Sequence, residues 1–100
     1  MTPRVYFVYL LSNERRTVLY TGVTSNLAQR IAQHRTGSTG AFTTRYRTTD
    51  LMWFEAHPDV ADAIAREKTL KRWQRAWKWD LVRTVNPDLR DLSPELIHVR

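Results

Sequence analysis

The chain has 100 residues, 42% of them hydrophobic, which is enough for one domain with a modest core. Its 16 Lys and Arg against 10 Asp and Glu give a net charge of +6, which favours a polyanionic partner such as nucleic acid. The sequence has no cysteine, which excludes disulfides and thiolate metal sites, and its longest apolar run is far below the ~18 residues of a membrane span. We therefore expect a cytoplasmic protein that binds nucleic acid and no membrane. Charge alone does not separate DNA from RNA, or cleavage from binding.

Two strand-like runs, separated by a polar break, open the chain at residues 5–11 and 18–23. Both are rich in β-branched and aromatic residues, and together they predict a β-hairpin. Because both faces of the first run are apolar, we expect it to be a central strand that is covered on both sides. The simplest pairing across the break sets Tyr9 directly opposite Tyr20, so that two hydroxyl groups converge on one face. A slip of one residue would separate them, and a plain core position is the ordinary alternative for either tyrosine.

A helix is predicted next, from Leu27 to about Thr36. Asn26 supplies the N-cap side chain and Gly37 ends the helix. Arg30 and His34 lie about 40° apart on the edge of the apolar stripe, so they point to one place beside the core. The alternatives are an arginine that snorkels and a histidine that interacts with the C-terminal end of the helix dipole.

Residues 37–49 form a predicted connecting loop that is rich in hydroxyl groups, glycine, arginine and aromatic side chains. Hydroxyl groups and arginines contact phosphates, and aromatic rings stack on bases. A loop of this length in a small domain is usually functional, although a plain solvated connection is the alternative. The candidate nucleic-acid contacts in it are Thr43, Arg45, Tyr46 and Arg47.

A third strand is predicted at residues 51–56, followed by a helix that begins at Val60. On a helical wheel the inward face of this helix is spanned by Val60, Ala63, Ile64 and Leu70, with Glu67 near its middle. A buried carboxylate must be paired or bound to a metal ion. An ion pair with Lys71, four residues on, and a metal site are therefore two open alternatives for Glu67.

The segment 66–83 contains seven basic and two acidic residues. The inward stripe of the helix that begins at Val60 does not extend past Lys71 and Arg72. We therefore predict a break near Gln74, followed by a further helix to about Val85. Trp73 and Trp77, four residues apart, are better explained as clamps that hold these helices to the sheet than as stacking groups. The candidate nucleic-acid contacts here are Lys71, Arg75 and Lys78.

Five short features, in this order, resemble the GIY-YIG nuclease domain, and most closely its small stand-alone branch. The resemblance extends from about residue 6 to residue 82, although the middle residues of both tripeptides differ from those that name the family. The features are Val8-Tyr9-Leu10, Tyr20-Thr21-Gly22, Arg30, His34 and Glu67.

The resemblance implies an α/β (α+β) fold, in which helices flank a small three-stranded, mainly antiparallel sheet. We expect a single domain over residues 1–100, with a core at about 5–85 and a C-terminal tail at 86–100 that is either a short helix or irregular. Family members often carry a polar residue some twelve to fifteen positions after the metal-binding glutamate, and here residues 79–82 offer only Asp80.

The implied activity is divalent-metal-dependent hydrolysis of nucleic acid, with DNA expected ahead of RNA. Tyr9 would position or deprotonate the attacking water with help from Tyr20, and Arg30 would stabilise the phosphate. His34 would bond the phosphate or steer a tyrosine. Glu67 would hold one Mg²⁺ or Mn²⁺.

Gly22 would allow close approach of a backbone where a side chain would clash. The alternative from another class is a non-catalytic nucleic-acid-binding module on the same scaffold.

Overall fold

A computed structural model describes residues 4–37 and 45–98, with side chains up to residue 96. It contains a three-stranded antiparallel sheet of order β2-β1-β3. Within the described ranges, α-helices and a short C-terminal 3₁₀ helix accompany the sheet, so the predicted α+β architecture is confirmed. The elements are β1 Tyr6–Ser12, β2 Leu19–Thr24, α1 Leu27–Thr36, β3 Asp50–His57, α2 Val60–Arg72, α3 Arg75–Val85 and the 3₁₀ helix Ser93–His98.

The hairpin register differs by two residues from the predicted one. Tyr9 lies opposite Gly22, and Tyr20 lies opposite Leu11, so the prediction of directly opposed tyrosines is wrong. A turn closed on Asn13 causes the difference, because its Oδ1 accepts the backbone N–H groups of the two residues that precede β2. Those residues are therefore held in the turn and do not pair. A shift of two residues is one full pleat, so both tyrosines still share a face.

The central strand β1 is buried on both faces, as the sequence predicted. One face packs against α2 and α3, and the other packs against α1 and the C-terminal tail. The first core cluster includes Val8, Leu10, Met52, Ala63, Leu70, Trp79 and Val82, and the second includes Tyr9, Leu11, Leu27, Ile31, Leu51 and Leu92.

The helix α2 is rotated relative to the predicted wheel. Val60 and Ile64 are exposed, whereas Ala63 and Leu70 are fully buried. The stripe that faces the sheet therefore runs through residues 63, 67 and 70, at helical spacing, and Glu67 lies at its centre. The prediction for Glu67 is retained, although the one for Val60 and Ile64 is wrong.

Between α2 and α3, Trp73 and Gln74 have extended backbones with ψ near 148°, which confirms the predicted break. Trp73 packs against the core as predicted. The indole of Trp77 is exposed, so its predicted clamp on the sheet is wrong. The buried Trp79 makes that contact instead.

The C-terminal tail is fixed to the domain by Asp91. Its carboxylate accepts hydrogen bonds from the backbone N–H groups of Leu51 and Ser93 and from the Ser93 hydroxyl, and it pairs with Arg35. These contacts join the tail to both β3 and α1. Across residues 4–37 and 45–98, no helix has the length and apolar character needed to span a membrane.

Candidate active site

Tyr9 and His34 form a buried hydrogen-bonded pair on the α1 side of the sheet. The strand β1 brings the tyrosine and the last turn of α1 brings the histidine, and both side chains are almost completely buried. The Tyr9 hydroxyl is 3.3 Å from Nε2 of His34. The tautomer of the imidazole determines which group donates this hydrogen bond.

Gly22 makes room for the Tyr9 ring. A Cβ atom at position 22 would lie 2.4 Å from both Cζ and the hydroxyl oxygen of Tyr9. The phenol therefore lies across the glycine, and no other residue fits there without moving the ring. The structure thus gives Gly22 a different role from the predicted one, because the close approach is made by Tyr9 of the same chain.

Tyr20 completes a cluster of three rings. It is half-buried, with its ring centroid 6.3 Å from that of Tyr9 and 5.1 Å from that of His34. Because Tyr20 is less buried than the other two, it provides the solvent-facing side of the cluster.

The charges of Arg30 and Glu67 both act on Tyr9. Burial and the nearby Tyr20 raise the pKa of Tyr9, Arg30 partly opposes this, and Glu67 adds to it. Burial, with help from Arg30, lowers the pKa of His34 from 6.5 to about 4. At neutral pH both members of the buried pair are therefore uncharged. Of the five residues that the resemblance singled out, the structure brings Tyr9, Tyr20 and His34 into contact, while Arg30 and Glu67 act on Tyr9 through their charge.

Glu67 forms an ion pair with Lys71, with Nζ and Oε2 3.3 Å apart. The ion-pair alternative from the sequence is therefore realised, but the two side chains differ in exposure: 14% for Glu67 and 54% for Lys71. A pair with one partner this exposed contributes little stability, and the lysine can leave the carboxylate.

A bound metal ion is the other alternative for Glu67. The part of the chain that the structure describes contains no group of three or more His, Cys, Asp or Glu side chains that could hold a metal ion. One shielded carboxylate suits a hard cation such as Mg²⁺, which takes its other ligands from water and phosphate. The residues present therefore fit a cation shared with a phosphate, rather than a complete protein cage.

The predicted nucleic-acid contacts lie in two exposed basic groups. Burial, followed by the charges of Arg75 and Lys71, lowers the pKa of Lys78, so these three cations are close neighbours. In the segment before β3, predicted as a loop, residues 45 and 46 are helical, which the sequence did not predict. Arg47 is exposed, and the guanidinium of Arg45 lies 5.4 Å from the ring centre of Tyr46. Thr43 lies outside the described residues.

A cavity of about 420 Å³ connects the loop to the site, because His34 and Arg47 both line it. Glu14 and Arg35 also contribute to its wall. Sequence reasoning missed these two residues, because the hairpin turn and an exposed position of α1 carry no motif. Asp80 does not join the site, because its side chain is exposed and pairs with Arg83.

Comparisons with known proteins show the family and the fold. Residues 5–80 match the family described as the GIY-YIG catalytic domain. A UPF0213 protein of Syntrophus aciditrophicus is 34% identical over 83 residues, covering 82% of this chain and 93% of that protein. A UPF0213 protein of Natronomonas pharaonis is 41% identical over 78 residues, covering 77% and 89% of the two chains. The solution NMR structure of a UPF0213 protein from Bacillus halodurans is 27% identical, with a TM-score of 0.53 and coverage of 82% and 86%.

Proposed function

Since this chain belongs to the GIY-YIG family, whose domain is of the nuclease type, we propose that it is a divalent-metal-dependent endonuclease acting on DNA. The observation that carries the proposal is the contact of two tyrosines and a histidine, on whose buried tyrosine the charges of an arginine and a shielded carboxylate act. These groups can position water, bind a phosphate and hold a cation. The chain has no cysteine, and burial raises the pKa of Tyr9 and so makes its hydroxyl a poor nucleophile, which favours hydrolysis by water.

Tyr9 positions the attacking water with its hydroxyl oxygen. In the tautomer of His34 that carries its proton on Nδ1, Tyr9 donates its own proton to Nε2 while it takes one from water. The water oxygen forms the new bond to phosphorus, and the bond from phosphorus to the strand oxygen breaks. The strand oxygen leaves with the bonding electron pair and takes a proton from solvent. This relay avoids a long-lived phenolate, which the raised pKa of Tyr9 disfavours. A bound phosphate offsets the effect of Arg30 on His34 and makes the imidazole a better acceptor.

Arg30 and Glu67 are the charged residues that act on the phosphate and the leaving oxygen. The guanidinium of Arg30 presents a fork of donors to the phosphate as negative charge develops in the transition state. Glu67 would hold a single Mg²⁺ or Mn²⁺, which supplies Lewis-acid stabilisation for the leaving oxygen. Tyr20, at the solvent-facing side, orients the water or the phosphate.

The strand would be held by the two basic groups of the surface. A chain of charge +6 attracts a polyanion over its whole surface, but these groups flank the site itself. The residues are Arg45, Tyr46 and Arg47 in the loop, with Thr43 a prediction beside them, and Lys71, Arg75 and Lys78 on α2 and α3.

One observation favours a second candidate, a non-catalytic nucleic-acid-binding module. The ion pair with Lys71 satisfies Glu67 without a metal ion. The carboxylate would then be a structural group, and the same basic surface would bind nucleic acid without cutting it.

Cleavage of plasmid and labelled oligonucleotides with Mg²⁺, Mn²⁺ or EDTA separates the two candidates. We expect cleavage that EDTA abolishes and that Glu67→Gln removes. Because Lys71 is half exposed, Glu67→Gln should leave the melting temperature and DNA binding nearly unchanged.

Lys71→Gln is the matched control, since it breaks the same ion pair and keeps the carboxylate. At saturating substrate it should retain metal-dependent cleavage. If the purified wild-type protein binds DNA but cuts no substrate with either metal, the nuclease proposal is wrong and the binding module stands.

A further inference from the structure

Trp77 is an exposed indole that is nevertheless held in place. Its exposed fraction is 52%, whereas the other three tryptophans of the chain are buried or half-buried. Its ring meets Trp73 edge-on, at a centroid distance of 6.3 Å and an angle of 80°. Trp73 packs on the core, and the guanidinium of Arg66 lies 5.5 Å from its ring centre. A continuous stack therefore leads from the core to the surface and supports one open indole face.

The surroundings of Trp77 carry more positive charge than the acidic residues there can balance. Glu67 pairs with Lys71, and Asp80 pairs with Arg83. In the part of the chain that the structure describes, four further cations close to Trp77 in sequence have no acidic partner, namely Lys68, Arg72, Arg75 and Lys78. An excess of cations in the stretch of chain that carries an exposed indole suits an anionic partner that also has flat apolar rings.

A docked helix of another protein suits this surface less well. Such a partner needs an apolar stripe that continues along the helix at spacings of three, four and seven residues. The positions three and seven residues after Trp77 are Asp80 and Thr84, which are both exposed and polar, and Leu81, four residues on, packs against the core, so exposed apolar surface resumes only at Val85. A single aromatic ring among cations fits a nucleotide, because its base stacks and its phosphates pair with the cations.

We propose that Trp77 stacks on an unpaired base of the bound strand, while Lys78, Arg75 and Lys71 hold the neighbouring phosphates. A paired base inside a duplex is already stacked on both faces, so only an unpaired or extruded base offers its ring to the indole. Lys71 lies against Glu67, so this binding surface adjoins the candidate metal ligand. The inference rests on the proposed function and refines it. The substrate class is a nucleic acid with unpaired nucleotides beside the cleaved bond, such as a single strand, a gap or a branch.

Binding in EDTA tests the inference without cleavage. The probes are labelled oligothymidine, a fully paired blunt duplex, and the same duplex with a short gap. Trp77→Ala should raise the Kd for the single strand and the gapped duplex by about 5- to 150-fold, and should change that for the intact duplex by less than about twofold. Val85→Ala is the matched control, since it truncates another exposed apolar side chain of α3 and should leave all three affinities unchanged.

A second variant reports the stacking directly. Oligothymidine should quench the tryptophan fluorescence of the wild-type protein, and Trp77→Phe should lose that part of the quenching while keeping a ring and the fold. The proposal would be overturned if Trp77→Ala bound the single strand as tightly as the wild type and Trp77→Phe showed the wild-type quenching. An acidic protein would then be the partner that suits this surface. An equal loss for duplex and single strand would overturn it as well, because stacking on an unpaired base predicts a difference.

The outcome is separable from that of the proposed nuclease activity. Trp77-dependent binding of single strands by a protein that cuts nothing would reject the nuclease and keep this inference. Metal-dependent cleavage, together with a single-strand affinity that does not depend on Trp77, would reject this inference alone.

Discussion

Burial sets the chemical character of the two residues at the centre of the site. Tyr9 and His34 share a hydrogen bond and are almost completely buried, so the pKa of the phenol rises and that of the imidazole falls. Both shifts favour the uncharged forms. The pair is therefore suited to passing a proton between neutral groups, and the charges come from Arg30, Glu67 and the substrate.

Replacing Tyr9 by phenylalanine tests this role. The variant keeps the ring over Gly22 and loses only the hydroxyl, so stability should fall by about 1 kcal/mol or less. Single-turnover cleavage should fall at least about a hundredfold, because the group that positions water is gone.

Tyr6→Phe, on the same strand, is the control and should cut at the wild-type rate. Undiminished cleavage by Tyr9→Phe, with an active wild-type preparation, would mean that the water is activated elsewhere.

The buried neutral His34 also predicts how stability depends on pH. Its pKa is about 4 in the folded protein against an ordinary value of 6.5, so the unfolded chain binds more protons between these values. The contribution of neutral His34 to the free energy of unfolding is fully present above pH 6.5. It is lost as the pH falls towards 4, at a slope of up to about 1.4 kcal/mol per pH unit.

Urea denaturation between neutral pH and about pH 4 measures this slope. In His34→Gln the slope of the free energy of unfolding against pH should be smaller over that window, by an amount equivalent to at most one bound proton. A slope equal to that of the wild type would show that His34 is not the titrating group.

At the scale of elements, the site depends on how three of them meet. The strand β1 contributes Tyr9, α1 contributes Arg30 and His34, and α2 contributes Glu67. The hairpin turn sets the register that places Gly22 under the Tyr9 ring. Each element is defined locally, but the site exists only where they pack together.

The C-terminal tail depends on the carboxylate of Asp91. Burial works against its charge, but hydrogen bonds from Ser93 and Leu51, together with Arg35, lower its pKa. Asp91→Ala leaves two backbone N–H groups without an acceptor, so the free energy of unfolding should fall by about 1–3 kcal/mol.

Urea denaturation measures that loss, and Asp88→Ala is its control. Asp88 is an exposed acid of the same tail, so its removal should change stability by less than about 0.5 kcal/mol. Equal effects of the two substitutions would mean that charge, rather than the hydrogen bonds, fixes the tail.

At the scale of the molecule, positive charge surrounds the site. The net charge is +6, and cations lie both on the loop before β3 and at the junction of α2 and α3. Binding of nucleic acid to such a surface releases counterions and weakens as salt rises.

Arg45→Ala and Arg47→Ala together test the contribution of the loop. If both side chains contact phosphates, the slope of log K against log[salt] should flatten by up to about two units. Arg83→Ala is the control, because Arg83 already pairs with Asp80, and it should change the slope less. An unchanged slope in the double variant would remove the loop from the interface.

Much of the fold follows from local patterns in the sequence. The apolar run of β1, the Asn26 cap that bonds the N–H of Gln29, the left-handed Gly37 and the break at Gln74 were all predicted, and all are present. Each depends on interactions within a few residues, and so a pattern can indicate it. The five site residues could also be named, because the family motif places them in order along the chain.

The sequence by itself determined the element types, the helix ends and the identity of the residues that could carry chemistry. The hairpin register depends on local hydrogen bonds to Asn13 that the strand pattern does not indicate. Only the tertiary structure decided the rotation of α2 and the exposure of Trp77. Arg16, for example, joins the hairpin turn to Asp50 at the start of β3 and to the carbonyl oxygen of Leu89 in the tail. The tertiary structure also decided the pKa values of Tyr9 and His34, since burial depends on which distant segments cover a group. Contacts between residues far apart in the chain settle these features, and no local pattern contains them.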